Sequence, residues 1–178
     1  MVGTHHKEYH SGCLWLRPRF ILNKNRGVIL GIRKFDDISE IEKIIERAMV
    51  CHIGLADGDE PYVVPVCFGY ERGKLYFHSR LEGRKIDIIN RNPKVCFEMA
   101  IDLEFTRAET PCDCSMKYRS VIGFGKAHIL DDQKKSHGLN IIMNHYDKGD
   151  FTFEKASLAT VNVIRIDITR ITGKQIQG

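Results

Sequence analysis

The chain has 178 residues, of which 43% are apolar and 28% charged, with a formal net charge of +4. At about 150 residues per domain this predicts one domain, with a core that holds without disulfides or structural metal. The small positive excess is spread along the chain, which argues against a nucleic-acid surface, and no apolar run approaches the roughly 18 residues that span a bilayer.

Residues 1–34 are poorly patterned and read as an N-terminal extension ahead of a domain over 35–178. His5, His6, His10 and Cys13 read as a His-rich tail rather than a metal site. Cys13-Leu14-Trp15-Leu16 is closed by Arg17-Pro18-Arg19 and is too short for a secretory segment, so a cytoplasmic protein is expected. Asp36-Asp37 opens a helix. Ile38, Ile41, Ile45 and Ala48 recur on one side, with Glu40, Glu42, Lys43 and Glu46 on the other. Glu40 follows Asp37 at the spacing of a capping box.

Strands come next. Val50 to Ala56 is the first, Asp57-Gly58-Asp59-Glu60 a hairpin turn, and Tyr62 to Tyr70 the second. The second is apolar on both faces, which predicts burial on both. Glu71-Arg72-Gly73 turns the chain into a third strand, Leu75 to Ser79. Gly83 to Asn92 is helical, with Ile86 and Ile89 on one face and Pro93 past its end. In Lys94 to Ile101, Val95, Phe97, Met99 and Ile101 alternate with Cys96 and Glu98, a half-buried strand.

Residues 102–116 read as an acidic loop. Lys117 to Leu130 is a long bent strand, with Gly123 and Gly125 where a bend or close approach needs no side chain. Asp131-Asp132 starts a helix with Leu139, Ile142, Met143 and Tyr146 as its stripe. Leu158 to Ile171 is the last strand. Val161 and Val163 share one parity and Ile164, Ile166 and Ile168 the other, which predicts a bulge or a change of neighbour near Val163. About six strands joined mostly by hairpins, plus three helices, predict a small antiparallel barrel.

Cys51, Cys67 and Cys96 lie in apolar stretches and read as small core residues. Cys112 and Cys114 flank Asp113, with no second pair at zinc-site spacing, so free thiols are expected. There is no P-loop, no dinucleotide fingerprint around Gly123-Phe124-Gly125, no nucleophile elbow and no zinc-protease motif.

Two segments carry chemistry. A strand ends at His78-Ser79, Gly83 allows a turn, and Arg84-Lys85 fall in the first turn of a helix, where the dipole disfavours cations. Two cations there, after a hydroxyl and an imidazole, suit a phosphate bound on free backbone N–H groups; the alternative is an exposed basic turn with no ligand. In Val63-Val64-Pro65-Val66, Pro65 cannot donate to a ladder and marks either an edge strand or a ligand-facing site.

Pro61-Tyr62-Val63-Val64-Pro65-Val66, Tyr76-Phe77-His78-Ser79 with Glu82-Gly83-Arg84-Lys85, and Asn92-Pro93-Lys94-Val95-Cys96-Phe97-Glu98 stand in the same order as in a known group. They strongly resemble the pyridoxamine 5′-phosphate oxidase-like flavin-binding split barrels, and within these the nitroimidazole-resistance family. Tyr118 to Ala127 and Ile171-Thr172-Gly173-Lys174 carry the resemblance on, so that it runs from Arg33 to Lys174.

The resemblance implies a mainly β chain with helices: a six-stranded antiparallel split β-barrel of the FMN-binding type. It implies a homodimer with a flavin at each of two sites between subunits. FMN is the usual cofactor, FAD is a variant, and some branches bind heme. Carried over by position, the backbone of Val63, Val64, Pro65, Val66 and on to Phe68 lies along the isoalloxazine ring, which explains Pro65 without an edge strand. His78 and Ser79 lie beside the flavin, Arg84 and Lys85 hold its phosphate, and Arg119 and Ser120 approach from the partner chain.

The activity so implied is that of a flavin-dependent oxidoreductase, a reductase of nitroaromatic or other small electron acceptors, with His78 as candidate proton donor. A flavin- or heme-binding carrier without turnover is the alternative, and no Cys-x-x-Cys-His supports covalent heme. Trp15 is the single Trp, and Thr172 to Gly178 lacks the Trp- and Arg-rich segment with which family oxidases grip pyridoxamine phosphate, so that oxidation is not expected. Cys114 stands where many related sequences carry an aromatic residue, which alters the expected pocket over the flavin.

Overall fold

Two sharp turns set the hairpins of the sheet. Gly58 (φ 60°) joins β2 (Cys51–Asp57) to β3 (Glu60–Val66). Arg72 and Gly73 (φ 48° and 76°) join β4 (Phe68–Glu71) to β5 (Lys74–Arg80), the paired left-handed residues of a tight hairpin. The computed structural model describes residues 31–177; the expected His-rich tail, with His5, His6, His10, Cys13 and Trp15, lies outside them. The other elements are β1 (Gly31–Phe35), α1 (Ile38–Arg47), α2 (Arg84–Arg91), β6 (Lys94–Thr106), β7 (Ser115–Ile129), α3 (Asp132–Tyr146), α4 (Lys155–Leu158) and β8 (Val161–Gln177).

The strands pair in the order β3-β2-β6-β7-β8-β5-β4, with β1 added to β8, and every pairing is antiparallel. Among the described residues the count is eight strands, not six. One extra strand is β1, which begins inside the stretch expected to be an extension and pairs Gly31 with Gln177. The other arises because the run from Tyr62 to Tyr70 breaks at Cys67. The break falls where the barrel is split. β3 ends one side of the sheet and β4 the other, and the chain passes between them through Cys67.

That position corrects the burial expected for β3. Val63 is 63% exposed and Pro65 is exposed, because their parity faces away from the core. Tyr62 and Val64 turn inward and pack partly on the core. Within this chain Pro65 therefore does sit on an edge strand.

The core follows alternation elsewhere. β6 buries Val95, Phe97, Met99 and Ile101, as its pattern predicts. Gly123 faces Phe97 across the β6–β7 pair, and a Cβ there would overlap the Phe97 ring. α1 starts at Asp37, whose carboxylate accepts from the Glu40 N–H (3.0 Å), and it buries Ile41, Ile44 and Ile45. Ile38, expected on the buried stripe, is half exposed.

Three expectations give way to longer-range effects. Residues 102–116 are not one loop. Past a bulge at Asp102 (φ 56°), β6 continues to Thr106 and pairs Phe105 with Met116 as an arm of the β6–β7 hairpin. Val163 and Ile164 are both fully buried, Ile164 in the main core and Val163 with Tyr76, Leu130 and Ile142 beneath α3. The parity switch thus marks a change of neighbour, and the bulge in β8 lies at Thr169 instead, between Ile168 (opposite Gly125) and Arg170 (opposite Phe124). Finally, Cys51 is buried but Cys67 and Cys96 are exposed, Cys67 at the split and Cys96 on the outward parity of β6.

Candidate functional site

Alternation along β5 sends its last residues to different sides. Ser79 shares the parity of Leu75 and Phe77, which point into the main core. His78 is exposed and shares the parity of Tyr76, opposite Val163 on the side that α3 covers. The strand then stops. Gly83 (φ 127°) takes a conformation that residues with a Cβ rarely adopt, and α2 begins behind it with no side-chain cap. The Ile86 and Asp87 N–H groups donate to the Gly83 carbonyl (2.8 and 3.1 Å), and those of Arg84 and Lys85, which come before them, face the space in front of α2.

The β2–β3 turn holds α2 in place. Asp57 pairs with Arg91 at the far end of the helix (2.6 Å) and Glu60 with Arg84 at the near end (2.7 Å). The Asn92 amide also donates to the Ala56 carbonyl (3.2 Å). The Arg84 guanidinium lies over the Tyr62 ring, 4.8 Å from its centre.

Lys85 is different. Its ammonium stands 5.7 Å from the centre of the Phe77 ring, half-buried, and has no carboxylate partner among the described residues. Burial pushes its pKa below the ordinary lysine value.

These groups line an open pocket of about 510 Å³, bounded by Tyr62, His78, Ser79, Arg80, Glu82, Gly83, Arg84, Lys85 and Val161. Of the residues predicted from sequence, His78, Ser79, Arg84 and Lys85 meet here. Val63, Val64, Pro65 and Val66 do not line the pocket, but they follow Tyr62 along β3, whose outer edge has no partner among the described residues. Phe68 is fully buried beyond the split, and its N–H donates to the Tyr146 hydroxyl (3.0 Å).

Arg119 and Ser120 are not brought to this pocket. Ser79 pairs with Asn162 on β8, whereas Arg119 pairs with Gln175, thirteen positions (175 − 162) further along. Arg119 lies beside Glu40 (3.6 Å) and Asp102 (3.9 Å), carboxylates that also bind Arg33 and Arg47. Ser120 is buried.

Sequence reasoning did not single out Glu60, Tyr62, Arg80, Glu82 or Val161 as site residues. Tyr62 had a signal in its parity with Val64 and Val66. Glu60 shares that parity, but only the packing of α2 beside the hairpin brings it to Arg84. No helix among the described residues is long and apolar enough to cross a membrane.

A family model described as pyridoxamine 5′-phosphate oxidase matches residues 37–175. Among solved structures, a proposed 5-nitroimidazole antibiotic resistance protein from Bacteroides thetaiotaomicron is 32% identical, over 97% of this chain and 96% of its own, with a TM-score of 0.74. The flavocytochrome Anf3 from Azotobacter vinelandii is 19% identical over 82% of this chain and 70% of its own, with a TM-score of 0.72. The FAD and heme binding protein from Mycobacterium smegmatis is 15% identical over 82% and 74%, with a TM-score of 0.75. At those identities the last two share the fold alone. No curated protein matches the chain.

Proposed function

Since the chain belongs to the pyridoxamine 5′-phosphate oxidase family, we propose that it binds a flavin, FMN in the first place, and works as a flavin-dependent reductase of nitroaromatic or similar small acceptors. The observation that carries this reading is Lys85: a half-buried ammonium with no carboxylate partner among the described residues, in the uncapped first turn of α2 and lining one pocket with Ser79. Burying an unpaired charge is costly, and a bound phosphate offsets that cost with charge-assisted hydrogen bonds. Helix N–H groups, a hydroxyl and an ammonium are the donor set a phosphate monoester needs.

The rest of the cofactor fits the same geometry. β3 leaves the pocket at Tyr62 with its outer edge unpaired among the described residues, so backbone groups from Val63 to Val66 can bond the polar rim of a flat heterocycle. When bound, a flavin supplies the electron transfer; the protein supplies orientation and the electrostatic setting. His78 borders the pocket, with its exposed side chain on the face of β5 opposite to Ser79; in this reading the imidazole gives a proton to an acceptor bound on that side. The relative named for 5-nitroimidazole resistance, at 32% identity, favours nitroaromatics as the acceptor class.

The working form in this reading is a cytoplasmic homodimer. Arg119 and Ser120 lie far from their own pocket; in this reading Arg119 reaches the flavin of a second copy, with the buried Ser120 next to it in β7. A second copy also gives cover to Val63, Ile122 and Phe124 on the outer face and to Leu103, Phe105 and Met116 on the arm, all exposed apolar side chains here.

An absorbance spectrum of the purified protein, with the released cofactor identified by mass, tests the reading. Flavin bands and released FMN are expected. A heme Soret band in their place supports the carrier alternative, and a colourless protein that takes up no added flavin overturns the proposal. His78→Ala is expected to lower the nitroreduction rate about a hundredfold with flavin content unchanged. An unaltered rate at full flavin content removes His78 from the chemistry.

A further inference from the structure

We propose that Glu60 is a specificity-determining residue of the pocket: it competes with the ligand phosphate for Arg84, and so sets how strongly the pocket prefers a phosphorylated flavin over riboflavin. The inference rests on the flavin reading above and concerns the strength of its phosphate contact.

The two cations that open α2 are not equivalent. Lys85 has no carboxylate partner among the described residues, whereas Arg84 is held on two sides, by Glu60 at 2.7 Å and by the Tyr62 ring at 4.8 Å. The contact is built into the backbone. Glu60 and Asp57 face each other across the β2–β3 turn, and the turn presents one carboxylate to each end of the helix. Anchoring at Arg91 and Asn92 keeps it there.

A carboxylate near a helix N-terminus is favoured by the dipole, so Glu60 stands beside the place where a ligand anion belongs. A phosphate entering the pocket therefore meets a guanidinium already neutralised. It gains Arg84 only by drawing it away from Glu60, an exchange of one charge-assisted contact for another. Lys85 is gained outright. Glu60 thus lowers the return on the phosphate group while leaving the contacts of the ring system untouched.

The experiment measures dissociation constants for FMN and riboflavin at low ionic strength, by flavin fluorescence, in four proteins: wild type, Glu60→Gln, Arg84→Met and the double variant. Glu60 is well exposed, and circular dichroism checks that each variant folds. Glu60→Gln is expected to raise the preference for FMN over riboflavin about fivefold, the scale of one exposed ion pair. In the Arg84→Met background the same change is expected to leave the preference where it was.

Three results overturn the proposal. A lower preference in Glu60→Gln makes Glu60 a support that aims Arg84 at the ligand. An unchanged preference removes Arg84 from the phosphate site. An equal rise with and without Arg84 reduces Glu60 to general repulsion. If wild type takes neither flavin, it is the flavin reading that fails. Phenyl phosphate, with phenol as the uncharged control, then runs the same four-protein comparison by thermal shift, and the same outcomes decide the role of Glu60.

Discussion

Lys85→Met is expected to weaken FMN binding about thirtyfold while riboflavin binding stays within about twofold of wild type. A hydrogen bond to a charged partner contributes about 2 kcal/mol, which is that thirtyfold. Methionine keeps most of the apolar stem that lies against Phe77, so the change removes the charge with little loss of packing. The loss should exceed that of Arg84→Met, because Arg84 already spends part of its charge on Glu60. The pH profile separates charge from shape. Burial lowers the Lys85 pKa, and it is the protonated amine that holds the phosphate. FMN affinity is therefore present below that lowered pKa and falls as pH rises through it, whereas Lys85→Met lacks this step. Fluorescence titration across pH reads both. Wild-type FMN affinity in Lys85→Met would move the phosphate away from the start of α2.

The second large effect concerns the scaffold. Gly69→Ala is expected to destabilise the folded chain by about 3 kcal/mol, the upper range for forcing atoms into a packed site. A Cβ on Gly69 would lie 2.6 Å from the Ile141 carbonyl carbon and 2.8 Å from the Ile142 Cα, both backbone atoms of α3. A side chain can swing away from such an intrusion, but helix backbone cannot. α3 is also tethered on this side, because the Tyr146 hydroxyl accepts from Phe68 N–H and donates to the Met49 carbonyl (both 3.0 Å). The comparison is Gly58→Ala, where nothing lies within 4 Å and only the positive φ is unfavourable. That change should cost about 1 kcal/mol. Urea denaturation of the two variants side by side checks the difference, and equal losses would mean that α3 is not seated on Gly69.

What the sequence made legible is what depends on near neighbours. The stripe of α2, the turn at Arg72-Gly73 and the alternation of Val95 to Ile101 are local patterns, and each matches the fold. The core of the site is legible for the same reason. His78, Ser79, Arg84 and Lys85 fall within one strand–turn–helix unit, so their spacing already places them together. What stayed hidden depends on distant partners. Nothing between Val66 and Phe68 marks a strand break, because the break comes from crossing between the two sides of the split. β1 carries Arg33 and Lys34 and looks polar; it becomes a strand by pairing with β8 and by the hydrogen bonds of Arg33 to Glu40 and Gln175. The acidic residues around Leu103 and Phe105 disguised the β6–β7 arm as a loop. Glu60 is near Arg84 only in space. Arg119 was singled out by resemblance alone, and the single chain keeps it among its own carboxylates.

β8 also has a bearing on how the protein is made. It partners β1, β5 and β7, and among the described strands it is the one that pairs with both β3-β2-β6-β7 and β5-β4. Yet among the described strands it comes last in sequence. During translation, then, β1 and the β4–β5 hairpin have no sheet to join until β8 has cleared the ribosome. Leu75 and Phe77, which β8 meets with Ile166 and Ile164, stay uncovered by it through that interval. Pairings of such long sequence separation form slowly, and exposed apolar strands aggregate. In a nascent chain of this order, the face that carries Leu75 and Phe77 stays open to wrong pairings until β8 is there to join it.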